Sequence, residues 1–88
     1  MAIPRPLNTI AAEILSQWPI EKRRTTGFML FSMPYVEAML SLQSINDDYG
    51  LDPADDIVIR FLSNAASWRG EVARRIKAEL NLHLELVK

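Results

Sequence analysis

Residues 52–80, DPADDIVIRFLSNAASWRGEVARRIKAEL, decide the fold of this 88-residue chain. Asp52 is a suitable N-cap, Pro53 fits the first helical position, and two aspartates in the first turn favour the positive end of a helix dipole. Apolar residues then recur at helical spacing without losing phase, at Ile57, Val58, Phe61, Leu62, Ala65, Trp68, Val72, Ile76 and Leu80. The pattern predicts that this stripe forms the centre of a helical core.

The stripe is compatible with one long helix or with two shorter ones. A single helix of about 28 residues would be about 42 Å long, which is long for so small a domain. Gly70 would also weaken a continuous helix by about 1 kcal/mol relative to alanine. We therefore favour a break near residues 64–67, with Ser67 as the N-cap of a last helix that extends to Leu84.

Two further helices are predicted upstream. Asn8 is a candidate N-cap for a first helix, which should end near Trp18 because the following proline disfavours helical geometry there. Ser32 is a candidate N-cap for a second helix over residues 33–46, with Pro34 in its first turn.

Two short segments flank the second helix. The run GFMLF at 27–31 could be a strand, a buried loop or an extension of that helix, since periodicity cannot distinguish these over so few residues. After the helix, NDDYG at 46–50 is a stop signal in which Gly50 suits the left-handed conformation.

These elements predict an all-α fold, a compact bundle of three or four helices in a single domain over residues 1–88. Residues 1–7, with prolines at 4 and 6, are expected to form an extended arm. The absence of cysteine fits a reducing cytoplasm, and no apolar run approaches the 18 residues needed to span a membrane. The net charge of −1 creates no global field that would attract nucleic acid.

No pattern for catalysis, a metal or a cofactor is found, so an enzyme is the least expected class. The five aspartates of residues 46–59 fail the calcium-loop pattern, because position twelve from Asp47 is Val58 and not glutamate. Capping and the helix dipole explain these aspartates instead. The single histidine, His83, is expected at the surface without a nucleophile nearby.

Aromatic and apolar residues outside the stripe are the candidates for binding a partner protein. They are Phe28, Met29, Phe31, Tyr35 and Tyr49. If GFMLF is not absorbed into the core, it forms an apolar patch of the kind that marks a partner or dimer surface. The alternative is that it closes one end of the bundle.

A basic segment near the C-terminus is the candidate surface for nucleic acid. Its cationic residues are Arg69, Arg74, Arg75 and Lys77. Against this function, Glu71 and Glu79 lie four residues before and after Arg75, so local ion pairs on a solvated helix face are expected. No helix-turn-helix spacing accompanies the segment.

Three segments carry a resemblance to a known family. FSMPYVEAMLSL, INDDYGLD and FLSNAASWRGEVARRIKAEL, within residues 31–80, resemble a family of small proteins carried by bacteriophages, prophages and plasmids. The shared features are the Pro-Tyr, Tyr-Gly and Asn-Ala…Trp-Arg-Gly signatures. Residues 1–30 do not share them. The resemblance implies an accessory protein of a mobile element inside a bacterial cell, with no assigned catalytic activity.

The sequence therefore favours a non-catalytic factor that binds a host or defence-system protein, one form of which is inhibition of a host defence system. The alternative is a small regulator that binds nucleic acid through the basic segment. No membrane partner is expected. The small core, near the lower limit of independent stability, is compatible with a homodimer.

Overall fold

The computed structural model describes residues 4–17 and 27–87, apart from the side chain of Phe28. Its elements, in chain order, are α1 (Leu7–Ser16), α2 (Gly27–Met39), β1 (Asp48–Tyr49), β2 (Asp52–Pro53), α3 (Ala54–Asn64) and α4 (Glu71–Glu85). The two short strands form an antiparallel hairpin. The radius of gyration of 12.2 Å matches the value of about 12 Å expected for a compact domain of this length. The helical fold class is confirmed.

The predicted stripe lies in the core, and it is divided between α3 and α4. Its members Ile57, Val58, Phe61, Ala65, Ile76 and Leu80 are buried, while Leu62, Trp68 and Val72 pack against them half-buried. The rings of Phe61 and Trp68 meet edge to face, with centroids 6.4 Å apart. Methionines and Val36 of α2, and the buried face of α1, complete the core.

The predicted break between the last two helices is confirmed, but its cap is not Ser67. The first of the two helices ends at Asn64, and α4 begins at Glu71 with Gly70 at the N-cap position. Gly70 has φ of 114°, a conformation that side chains rarely adopt, so this glycine interrupts the helix and sets the boundary. Trp68 consequently lies in the connection and not inside the last helix.

The second helix differs from its prediction at both ends. It begins at Gly27, so the GFMLF run is a helical extension, and it ends at Met39. Ser32 is therefore inside the helix and fully buried, not a cap. Pro34 also lies inside the helix and not in its first turn. A serine at the start of a helix and a serine buried inside a helix look alike in the sequence, so the pattern could not distinguish them.

The hairpin takes the place of the predicted helix stop. Gly50 has φ of 62°, as its predicted left-handed conformation requires, but it lies in the two-residue turn that joins β1 to β2. Asp52 pairs with Tyr49 in the hairpin, and Pro53 occupies the N-cap position that was predicted for Asp52. The predicted aspartates, Asp55 and Asp56, are in the first turn of α3.

The N-terminal arm is described from Pro4 onward. Pro6 is at the N-cap position of α1, so Asn8 lies one residue inside the helix and is not its cap. The Leu7 amide donates a hydrogen bond of 3.0 Å to the carbonyl of Gln43, which joins the arm to the loop after α2. The first helix ends at Ser16, close to its predicted end at Trp18, a residue outside the described ranges.

None of the helices within the described residues combines the length and the apolar composition needed to cross a membrane.

Ser32→Ala is expected to stabilise the protein. The Ser32 hydroxyl is buried, and it has no hydrogen-bond partner among the residues that the structure describes. Removing such a group should raise the free energy of unfolding by about 1 kcal/mol, or the melting temperature by about 4–8 °C. Urea unfolding followed by circular dichroism measures the change.

Ser63→Ala is the matched control, since Ser63 is exposed and its hydroxyl donates to the carbonyl of Ile59 at 2.9 Å. This substitution should change the free energy of unfolding by no more than about 0.5 kcal/mol. Destabilisation by Ser32→Ala would show that the hydroxyl makes a stabilising bond.

Candidate functional site

A groove lies where α2, the hairpin and α3 meet, and it encloses about 170 Å³. Three residues of α2, two of the hairpin and three of α3 line it: Pro34, Tyr35, Ala38, Tyr49, Asp52, Asp56, Ile57 and Arg60. We call this the α2–α3 groove. It unites residues that the sequence separates by more than twenty positions, and it exists only because the hairpin lies beside both helices.

The groove has an apolar floor and a charged rim. Ala38 and Ile57 are buried and form part of the core, whereas Tyr35 is half-buried and Tyr49 is 47% exposed. Asp52, Asp56 and Arg60 are exposed, although each also lines the groove. An apolar floor with a polar rim resembles the surface arrangement of a pocket that accepts one side chain of a binding partner.

The structure separates the five predicted partner-binding residues. Tyr35 and Tyr49 both line the α2–α3 groove. Phe31 is 66% exposed one helical turn before Tyr35, so it lies on the adjoining surface. Met29 is fully buried in the core, and for this residue the predicted alternative of a core role is correct. The side chain of Phe28 lies outside the described part of the chain.

Sequence reasoning missed the charged part of the groove. Asp52 and Asp56 were explained by helix capping and the helix dipole, which account for their residue type but not for their position beside two tyrosines. One available signal was Pro34, a residue that costs about 3 kcal/mol in a helix interior relative to alanine.

The predicted basic residues surround a different concave surface, at the start of α4. Arg69, Arg74 and Lys77 line it together with Trp68 and Gly70. We call this the basic surface. Lys77 donates a hydrogen bond of 2.6 Å to the carbonyl of Trp68, while Arg69 and Arg74 are exposed and have no ion pair with the described residues. The arginines at 69 and 74 are therefore available to an anionic partner.

Arg75 does not line the basic surface, because its side chain forms an ion pair within the fold. It pairs with Glu13 of α1 and not with Glu71 as predicted. Glu79 in turn is paired with Arg5 of the arm, whose Nη2 lies 2.7 Å from Glu79 Oε1 and 2.7 Å from Glu13 Oε1. The Arg5 backbone amide also donates to Glu79 at 2.8 Å. We call these four side chains the arm clamp.

The arm clamp favours the charged forms of its members. Hydrogen bonds from Arg75 and Arg5 hold the pKa of Glu13 below its usual value, and the Arg5 hydrogen bonds lower the pKa of Glu79. The pKa values of Arg5 and Arg75 are raised by the hydrogen bonds to these carboxylates. Both carboxylates therefore contribute to the stability of the folded state.

His83 also contacts the arm, contrary to the prediction of a surface position. It is 5% exposed, and its Nε2 lies 2.6 Å from the Arg5 carbonyl, to which the ring N–H donates. The His83 side chain is buried because it lies on the same face of α4 as the core residues Ile76 and Leu80. This histidine has a structural partner of its own.

No group of three or more histidine, aspartate or glutamate side chains within residues 4–17 and 27–87 is arranged to hold a metal ion.

Comparison of the chain with protein-family models, with curated proteins and with solved structures found no match.

Glu79→Gln is expected to reduce stability at neutral pH and to weaken its dependence on pH. The pKa of Glu79 is lowered by folding, so its contribution is full above the unfolded value of about 4.3 and is lost as the pH falls through the lowered folded value. With solvent screening, the loss at pH 7 should be about 1 kcal/mol. Urea unfolding between pH 7 and pH 2.5 measures both effects.

Glu85→Gln, in the last turn of the same helix, is the control and should leave the pH profile of stability unchanged. Wild type and Glu79→Gln should converge in stability at the acid end. Parallel profiles over the whole range would show that the Arg5–Glu79 contact does not form in solution.

Proposed function

We propose that this protein is a non-catalytic binding factor that engages a partner protein through the α2–α3 groove and the apolar residues beside it. The observation that carries the proposal is the convergence of Tyr35, Tyr49 and Pro34 on one groove. Tyrosine is among the residues most enriched at the energetic centres of protein interfaces, where it fills pockets beside a polar rim.

Exposed apolar residues next to the groove extend the proposed surface. Phe31 is 66% exposed, Leu30 is 47% exposed on the same end of α2, and Leu51 at the hairpin turn is fully exposed. Isolated exposed apolar side chains are ordinary, but several around one groove are typical of an interaction surface. Their burial against a partner would release water and stabilise the complex.

The size of the groove favours a protein partner over a small molecule. Pockets for metabolites and cofactors usually enclose about 300–1,000 Å³, whereas this groove encloses about 170 Å³. One side chain of a partner fits such a space. The flanking residues would then contact the neighbouring residues of the same segment.

The resemblance of residues 31–80 to proteins of phages, prophages and plasmids supplies the biological part of the proposal. The partner is then a protein of the bacterial host cytoplasm, and inhibition of a defence system is one outcome of binding it. A protein that acts by stoichiometric binding requires a surface for its partner but does not require a catalytic group. The α2–α3 groove is consistent with such a surface.

A second candidate function is binding of nucleic acid by the basic surface. The observation in its favour is that Arg69, Arg74 and Lys77 gather on one concavity, where the arginines are not paired with carboxylates of the described residues. Against it, Arg75 is held by Glu13, and the chain is slightly acidic. The protein-binding function is therefore preferred.

A photo-crosslinking amino acid placed at Phe31 is expected to capture a specific protein in bacterial cells. The same amino acid at Ile59 is the matched control, because Ile59 is 47% exposed on α3 and does not line the groove. The product from position 31 should disappear when Tyr49→Ala is added. Equal capture from both positions, or none from position 31, would contradict the proposal.

Nucleic-acid binding has its own test, which is fluorescence anisotropy with a 20-base-pair DNA at 50 and 200 mM salt. If three cations contact phosphates, the affinity should fall about 40-fold between these salt concentrations, and Arg74→Glu should weaken it further. Arg60→Glu, which makes the same charge change at the groove, should have little effect. Absent binding, or equal weakening by both variants, would eliminate this function.

A further inference from the structure

We infer that the partner segment inserts an arginine or lysine side chain into the α2–α3 groove, with an apolar residue beside it. This inference rests on the proposed function and specifies the chemistry of the partner. It follows from the charge of the groove, from its aromatic residues and from its size.

The charge around the groove is predominantly negative. Residues 46–59 contain five aspartates and no basic residue. The carboxylate of Asp47 already has partners within the chain, since its Oδ2 accepts hydrogen bonds from the backbone amides of Gln43 and Ser44. The carboxylates of Asp52 and Asp56 line the groove and have no hydrogen bond or ion pair with the residues described here. These two carboxylates remain available to a donor from outside.

The tyrosines favour a cation in the same position. Tyr35 and Tyr49 line the groove with the two aspartates. A cation close to an aromatic face is attracted by the ring quadrupole, and arginine adds stacking and paired hydrogen bonds to a carboxylate. The apolar floor at Ala38 and Ile57 suits the aliphatic stem of a long basic side chain, whose charged end would reach the rim.

Arg60 is the opposing charge in the groove, and it is outnumbered by the carboxylates. It is exposed, lies one helical turn after Asp56 and makes no ion pair with the described residues. An acidic partner residue would be repelled by two carboxylates and attracted by one guanidinium there, whereas a basic residue would be attracted by the two carboxylates and repelled by the one guanidinium. The net charge of the lining residues, −1, thus selects a cation.

The neighbouring residues of the partner should be apolar. Phe31 lies one turn before Tyr35, and Leu51 follows Tyr49 by two residues in the hairpin turn; both are highly exposed. A segment whose basic residue enters the groove would place its flanking residues over these side chains. Burial of the flanking residues supplies affinity, and the charge pair supplies selectivity.

The test is a selection from a random peptide library on the immobilised full chain, followed by titration of the selected peptides. We expect the selected peptides to carry arginine or lysine beside an apolar residue, and to lose binding when Phe31→Ser and Tyr49→Ala are combined. Asp52→Asn with Asp56→Asn should weaken binding about five- to tenfold at 50 mM salt, and less at 500 mM. Arg60→Gln should strengthen it about twofold.

Asp55→Asn with Glu85→Gln is the charge-matched control, because neither residue lines the groove, and it should leave the affinity within twofold. Neutral or acidic peptides that still require Phe31 and Tyr49 would overturn the inference and leave the proposed function standing. An absence of peptides that require Phe31 and Tyr49 would overturn both. Self-association that Asp52→Asn abolishes would replace the separate partner with a second copy of this chain.

Discussion

The packing of α2 against α3 is the contact on which the rest of the structure depends. It is the most extensive contact between any two elements of the described chain. The two helices contribute Val36, Met39, Val58 and Phe61 to the buried core. Truncation of a fully buried Phe61 would cost about 3–5 kcal/mol, a large share of the stability of a small domain. The same packing sets the distance between the two helix surfaces that flank the groove.

The hairpin adds the third side of the groove to this helix pair. Gly50 allows a tight turn, and the turn returns the chain so that Asp52 lies beside Tyr49 and α3 begins directly afterwards. Pro34 weakens α2 locally, since a prolyl residue donates no amide hydrogen bond, yet its ring lines the groove. The proposed binding role of the groove would explain why a residue that is unfavourable for the helix occurs at this position.

Local patterns predicted more of the fold than of the groove. The stripe from Ile57 to Leu80 and the break before Gly70 follow from helical period and from glycine geometry, which are properties of neighbouring residues. The predicted caps Asn8, Asp52, Ser32 and Ser67 were wrong, because a polar residue near a helix start need not be its cap. Asn8 and Ser32 lie inside helices, Asp52 lies in the hairpin, and Ser67 lies in the connection before α4. The Arg5–Glu79 pair joins residues 74 positions apart, and the groove combines three elements, so neither has a short-range signal.

The groove should already be formed in the free protein, and nuclear Overhauser effects between its side chains test this most directly. Ring protons of Tyr35 and Tyr49 should both show cross-peaks to the methyl groups of Ile57 in the unbound chain, since all three line the same groove. Cross-peaks from Tyr35 alone, with averaged shifts and unprotected amides in residues 48–53, would contradict it.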